Sequence, residues 1–183
     1  METERLILRQ WHEEDFQHYA QLNADSRVMK YFPSTLSKQE SDDQADRIRG
    51  LITERGWGFW AVELKSSGEF IGFVGLHSQD ENSGIPNAPF VEIGWRLSSE
   101  HWGKGYAPEA ARRALEYAFE MLNEASVYAF TTLTNEPSQR VMSKVGMTNV
   151  NSDFNHPKLP DGHELERHCL YRMTRAEWLE LCK

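Results

Sequence analysis

The alternation of apolar and polar positions in the first third of the chain predicts one strand and two helices. Residues 5–11 have the pattern of a strand, and the mostly helical segment 12–32 is broken by Pro33. Ser37 and Glu40 have the spacing of a capping box, which predicts the N-terminus of a second helix. This third of the chain therefore contributes a strand followed by two helices.

Three further strands are predicted in the middle of the chain. Residues 59–64 and 70–76 flank a five-residue turn that contains Gly68, so they are predicted to form a hairpin. The polar segment 78–89 is predicted to be a loop, and the alternation over 90–97 predicts the third strand.

The second half of the chain alternates helices with strands. Its predicted elements are a helix over 107–122, a strand over 127–132, a helix over 137–145, a polar loop over 151–166, a strand over 168–173 and a helix from Thr174. The whole order describes a mixed α/β sheet in one domain that spans residues 1–183.

Composition and charge exclude more classes of protein than they identify. The 183 residues are 39% hydrophobic and carry a formal net charge of −8, which argues against a nucleic-acid partner. No apolar stretch approaches the ~20 residues of a membrane span, and there is no signal-peptide core. Cys169 and Cys182 form no pairing or metal motif. These features predict a cytoplasmic chain with reduced thiols.

The junction over 92–110 is the candidate anion site. Gly103 and Gly105 lie between a strand and the clearest helix, where Pro108 in the first turn sacrifices no hydrogen bond. Backbone N–H groups in such a loop attract anions together with the helix N-terminus. The loop matches neither a Walker loop nor a dinucleotide fingerprint. The residues alone therefore leave an anion loop and a plain helix-capping turn as alternatives.

The loop resembles a known family. Trp102-Gly103-Lys104-Gly105-Tyr106-Ala107 is similar to the acetyl-CoA loop of the GNAT family of N-acetyltransferases, usually written Q/R-x-x-G-x-G/A. Gly105 and Ala107 match, and Trp102 in place of Gln or Arg is familiar in the branch that contains the ribosomal-protein N-terminal acetyltransferases RimJ and RimL.

Three further segments resemble the same family, so the likeness covers nearly the whole chain. They are Arg5-Leu6-Ile7-Leu8-Arg9, the stretch from Asn135-Glu136-Pro137-Ser138 to Lys144-Val145-Gly146-Met147, and His168-Cys169-Leu170-Tyr171-Arg172 with Trp178. The resemblance implies a mixed, mostly antiparallel sheet flanked by helices, acetyl-CoA as co-substrate, an amine acceptor and, by analogy, a homodimer. The cofactor-binding residues that it implies are Trp95, Arg96, Leu97, Trp102, Gly103, Lys104, Gly105, Tyr106, Ala107, Asn135, Ser138 and Lys144.

Glu92 is the candidate general base. Strand alternation places it with Gly94 and Arg96 on one face, and a carboxylate in an otherwise apolar strand is expected to have a raised pKa. The alternative is a solvent-facing or salt-bridged Glu92, with Arg96 as its partner. Gly94 suggests a bulge that frees backbone N–H groups over 95–97 to polarise the thioester carbonyl, or a glycine that lets Trp95 pack.

Ser138 is the candidate acid for the leaving thiolate. Many family members use a Tyr seven residues after the Asn, but Met142 occupies that position here and cannot donate a proton. Ser138 resembles the serine proposed for this role in RimL, and its alternative role is helix N-capping. Asn135 is expected to contact pantetheine, or simply to cap a helix or form a turn.

The histidines give no metal prediction, because His163 and His168 have the wrong spacing and no cysteine joins them. His156, His163 and His168 remain alternatives to Glu92 for binding or deprotonating the amine, or serve no function. The predicted activity is acetyl transfer from acetyl-CoA to a primary amine, with a protein N-terminal α-amine as the favoured acceptor. The alternatives are a small-molecule amine as acceptor, or a CoA-binding module without catalysis.

Overall fold

The computed structural model describes residues 1–183. Its strands are β1 Leu6–Arg9, β2 Phe59–Leu64, β3 Phe70–Gln79, β4 Phe90–Leu97, β5 Ser126–Thr132, β6 Thr148–Asn149, β7 Phe154–Asn155 and β8 Arg167–Thr174. Its helices are α1 Asp15–Ala24, α2 Lys38–Arg55, α3 Tyr106–Glu120, α4 Glu136–Lys144 and α5 Arg175–Leu181, with short 3₁₀ turns at Val28–Tyr31 and Ser99–His101.

The strand order is β1-β2-β3-β4-β5-β8-β6, with β7 also paired to β8. Strands β4 and β5 pair in parallel, whereas β1–β2, β2–β3, β5–β8, β6–β8 and β7–β8 are antiparallel. The predicted fold class, a mixed and mostly antiparallel sheet flanked by helices, is confirmed.

The chain divides into two compact units, of which the first comprises residues 1–76 and 94–114. Helix α2 begins where the sequence predicts, because the Ser37 hydroxyl accepts from the Glu40 N–H and the Glu40 carboxylate accepts from the Ser37 N–H. It ends at Gly56, whose φ of 82° is left-handed. Its apolar face is buried, which stabilises the helix by packing rather than by propensity.

The second unit comprises residues 77–93 and 115–183. Strand β5 pairs with β8 along its whole length, from Ser126 opposite Thr174 to Thr132 opposite His168. The end of α3 packs on α5, where the Phe119 and Trp178 rings stack at 5.7 Å. The side chains buried most completely in this unit are Leu115, Ala118, Val127, Ala129, Leu170 and Met173.

Three segments differ from the sequence prediction. Strand β3 continues through Ser78 and Gln79, so the predicted loop over 78–89 begins at Asp80. The polar stretch 151–166 contains the two-residue strand β7, and β6 precedes it. Helix α3 ends at Glu120 rather than at Leu122. None of the helices has the length and apolar character needed to cross a bilayer.

Candidate active site

The loop between β4 and α3 has the backbone of an anion-binding turn. Gly103 and Gly105 have φ of 73° and 83°, a left-handed conformation that side-chain-bearing residues rarely adopt. The five consecutive N–H groups of residues 103–107 donate to no acceptor in the chain, the last two because they open α3. Five unpaired donors at a helix N-terminus fit a doubly charged pyrophosphate.

Arg5, which the sequence analysis did not single out, fixes this loop. Its Nη1 donates to the Lys104 carbonyl at 2.9 Å, and its Nε donates to Glu109 Oε2 at 2.7 Å. The guanidinium also lies 4.5 Å from the centroid of the Tyr106 ring. The signal in the sequence is the pair of opposite charges at Arg5, just before β1, and Glu109 in the first turn of α3. Sequence alone does not show that these two segments meet.

Trp102 connects the start of the loop to the end of β4. Its indole N–H donates to the Leu97 carbonyl at 2.9 Å, while half of its surface stays exposed. The aromatic residue at this position therefore links the loop to the end of β4 through a hydrogen bond and remains partly exposed.

Glu92 lies on β4 opposite Tyr128 of β5. Its carboxylate accepts a hydrogen bond from Gln79 Nε2 at 2.6 Å. Desolvation raises the pKa of Glu92 to about 7, against the lowering effects of the Gln79 hydrogen bond and of the Lys158 charge. Arg96, which the salt-bridge alternative required as a partner, instead donates to Asn23 at 2.7 Å.

Aromatic rings surround the sheet face of Glu92 in the second unit. The Phe90 and Tyr128 rings lie 4.6 Å apart. Phe130 on β5 packs against Phe154 on β7, with 6.0 Å between the ring centroids. Glu92 shares β4 with Phe90 and lies opposite Tyr128, and apolar neighbours of this kind desolvate a carboxylate.

His156 and His168 belong to the same aromatic group, with ring centroids 4.8 Å apart. Burial lowers the pKa of both, that of His156 to about 4. His156 Nδ1 accepts from the Lys158 N–H, whereas His168 Nδ1 lies 3.0 Å from the Glu166 carbonyl and donates to it. Both rings are therefore neutral at pH 7 and are weaker bases than Glu92. His163 lies apart from them, and its Nδ1 accepts from the Leu165 N–H.

The residue that caps α4 is Asn135 and not Ser138. Asn135 Oδ1 accepts from the Ser138 N–H at 3.2 Å, and Asn135 Nδ2 donates to Ser138 Oγ at 3.1 Å and to Thr131 Oγ1 at 2.9 Å. The capping alternative for Ser138 is therefore wrong, while the capping alternative for Asn135 is confirmed. The Ser138 hydroxyl accepts one hydrogen bond and keeps its own proton for another acceptor. Met142, one turn further on, is buried.

The other predicted cofactor residues lie at the ends of these elements. Trp95, Arg96 and Leu97 end β4, whose parallel ladder with β5 joins Val91 to Val127 and Glu92 to Tyr128. Lys144 is exposed at the end of α4.

The cysteines and the metal-binding side chains have no special arrangement. Cys169 is buried and Cys182 exposed, and neither is in a disulfide. No group of three His, Cys, Asp or Glu side chains in residues 1–183 is placed to hold a metal ion.

Gln79 is a residue that the sequence analysis missed, because it lay in the predicted loop. The apolar pattern predicts a strand that ends at Leu76, because the polar residues His77, Ser78 and Gln79 follow it. In the structure these three residues continue β3 and bring the Gln79 amide to Glu92.

Comparison with known proteins gives consistent matches. A family model described as an acetyltransferase (GNAT) domain matches residues 5–148. The chain is 32% identical to FsC-acetyl coenzyme A-N(2)-transacetylase of Aspergillus fumigatus, covering 100% of this chain and 79% of that protein. It is 30% identical to spermidine N(1)-acetyltransferase of Escherichia coli, covering 77% of this chain and 72% of that protein. A crystal structure of a GNAT-family acetyltransferase from Bacillus anthracis aligns with a TM-score of 0.80 and 26% identity over 96% of this chain and 98% of that chain.

Proposed function

Because the chain belongs to the GNAT family of acetyltransferases, we propose that it acetylates the α-amine of a protein or peptide N-terminus. It is an N-acetyltransferase that uses acetyl-CoA as co-substrate. Trp102 in the loop and the closing segment from His168 support a place in the RimJ/RimL-like branch.

The observation that carries the proposal is the Glu92 carboxylate with a pKa of about 7. An α-ammonium group has a pKa of ~7.7–8.0, so proton transfer to Glu92 is nearly balanced. A lysine or polyamine ammonium has a pKa near ~10.4, and the same transfer would cost roughly 4–5 kcal/mol. The base is therefore matched to an α-amine.

In the proposed reaction, each group of residues has a separate role. The amides of 103–107 hold the pyrophosphate of acetyl-CoA, which supplies the acetyl group as a thioester. Glu92 takes the proton from the acceptor ammonium, and backbone N–H groups over 95–97 polarise the carbonyl. The neutral amine nitrogen forms a bond to the thioester carbonyl carbon as the carbon–sulfur bond breaks. Ser138 donates its proton to the departing sulfur and takes back the second proton that the nitrogen loses on becoming an amide. Asn135 and Lys144 contribute contacts to the pantetheine and phosphate portions.

The acceptor is tested by measuring thiol release with paired peptides. A lysine-free peptide with an open N-terminus should be acetylated at least ten times faster than the same sequence with a blocked N-terminus and one lysine. Spermidine serves as the control acceptor, since a relative carries its name. A higher rate with spermidine than with either peptide would mean that the acceptor is a polyamine, and the protein would still be an N-acetyltransferase. No thiol release with any amine would favour the non-catalytic alternative.

Replacement of Ser138 by Ala is expected to lower kcat about 100-fold, the low end of the effect of a general acid, because a thiolate leaves readily. The affinity for acetyl-CoA should change little, since the hydroxyl acts on the transition state. Ser143→Ala is the matched control, because Ser143 lies on the same helix and bonds only the Gln139 carbonyl. If kcat of Ser138→Ala equals that of Ser143→Ala, Ser138 is not the acid.

A further inference from the structure

The guanidinium of Arg96 is a partly buried cation to which the chain gives no carboxylate. Its Nη1 donates to three neutral acceptors, Asn23 Oδ1 at 2.7 Å, Gln44 Oε1 at 3.2 Å and the Tyr19 hydroxyl at 3.3 Å. Burial lowers the pKa of Arg96 below its usual value. A desolvated guanidinium without a counter-charge lowers the stability of the folded state. A bound anion would offset this cost.

The contacts of Arg96 also fix which of its atoms remain available. Two rings enclose the guanidinium, with Phe32 4.2 Å and Phe73 5.5 Å from Cζ to the ring centroid. All three hydrogen bonds go to Nη1. Nε is fully buried without any acceptor, whereas Nη2 makes no hydrogen bond and is not fully buried. The edge of the guanidinium formed by Nε and Nη2 is therefore oriented and unsatisfied.

We propose that Arg96 binds a carboxylate group of the acceptor molecule, an inference that rests on the proposed function. A hydrogen bond from the charged Nη2 group to a carboxylate oxygen would supply the missing counter-charge of the guanidinium. The side chain of Arg96 leaves β4 on the same face as that of Glu92, as strand alternation requires. The phosphates of the co-substrate have separate donors in the amides of 103–107, which Arg5 rather than Arg96 holds in place.

This assignment narrows the acceptor class to an amine on a molecule that also carries a carboxylate. Two sources have that chemistry, namely a short peptide or amino acid with its own terminal carboxylate, and a peptide with an acidic side chain near its N-terminus. A polyamine has no carboxylate, and Arg96 would repel its charges.

The first experiment needs only the wild-type protein. One arm compares Ser-Ala dipeptide with its C-terminal amide, and the other compares amidated tetrapeptides that differ by Asp or Asn at the second position. We expect kcat/KM to be about 10- to 100-fold higher for the carboxylate member of one pair, as for a hydrogen bond between charged groups. The arm that shows the difference identifies the source of the carboxylate. Equal values within both pairs overturn the inference.

The second experiment connects the preference to Arg96. In Arg96→Gln the ratio within the preferred pair should fall to about one, because only the carboxylate member loses a partner. Arg49→Gln, which removes a surface arginine paired with Glu13 and Asp46, should keep the ratio. An equal loss for both members of the pair would show a structural role and contradict the inference.

The two proposals fail in different ways. Thiol release without a carboxylate preference rejects the role of Arg96 alone, whereas no release with any amine rejects the proposed function. Melting temperatures of Arg96→Gln and Arg96→Lys show whether the contacts to α1 and α2 survive. If neither variant folds, the comparison within the wild-type protein still decides.

Discussion

Replacement of Glu92 by Gln is expected to lower kcat by about 10²- to 10⁴-fold, the range of a general base, with little change in acetyl-CoA affinity. Gln keeps the size of the side chain and can still contact Gln79, but it cannot accept the acceptor's proton. The measurement is steady-state thiol release at saturating substrates. A variant with more than a tenth of the wild-type kcat would remove Glu92 from the mechanism.

The pH profile gives an independent readout of the same group. Because the carboxylate must be ionised to act, wild-type kcat/KM should rise tenfold per pH unit below about 7 and level off above it, following the Glu92 pKa of about 7 in the free enzyme. Gln79→Leu removes the hydrogen bond that favours the ionised form, so the midpoint should move to higher pH. A midpoint that moves to lower pH would contradict this account of Glu92.

As the pH rises, the free energy of unfolding should fall while the activity rises. The pKa of Glu92 rises from 4.5 to about 7 on folding, so between these values the folded state holds a proton that the unfolded state has lost. The free energy of unfolding therefore falls as pH rises from about 4.5 to 7, by up to about 3 kcal/mol. Glu92→Gln should remove this fall and be the more stable protein at pH 8, although it is the less active one.

Replacement of Gly105 by Asp is expected to abolish the stabilisation of the protein by acetyl-CoA. The change places a negative charge beside the pyrophosphate donors and a side chain on a backbone whose φ is 83°. Charge-assisted hydrogen bonds contribute about 1.5–3 kcal/mol each, so losing two weakens binding by at least about 100-fold. Thermal shift against acetyl-CoA concentration measures this loss, because a ligand raises the melting temperature only when it binds the folded state.

Gly68→Asp is the matched control for backbone strain. Gly68 lies in the turn between β2 and β3 with φ of 70°, and no atom lies within 4 Å of a Cβ built there. It should lower stability by a similar amount and leave the acetyl-CoA shift unchanged. If Gly105→Asp keeps the full shift, the loop does not hold the pyrophosphate.

The sequence predicts an element correctly where residues at its ends, such as a capping box or a change from alternating to polar residues, mark its bounds. Strand β4 has the predicted bounds, because its alternation ends at the polar residues before the glycine loop. The N-terminus of α2 follows from Ser37 and Glu40 alone. Strands β6 and β7 carry no such signal, since two-residue strands are too short for a period of two and depend on β8 for pairing.

The partners of the candidate site residues were harder to predict than their positions. Alternation gave the face of Glu92, but its bond to Gln79 depends on how far β3 extends. Ser138 and Asn135 both suit a helix cap by residue type, and only the geometry shows that Asn135 takes that position. The neutral partners of Arg96 come from α1 and α2, more than fifty residues away along the chain.

The bonds from Arg5 to the loop bear on the entropy of binding. A glycine-containing loop loses more conformational freedom than other segments when it is ordered. Here the Lys104 carbonyl and the Glu109 carboxylate are already held by the same guanidinium, so this loss occurs when the chain folds. Under the proposed role of this loop, the association with acetyl-CoA carries a smaller ordering cost, and more of the contact energy remains as affinity.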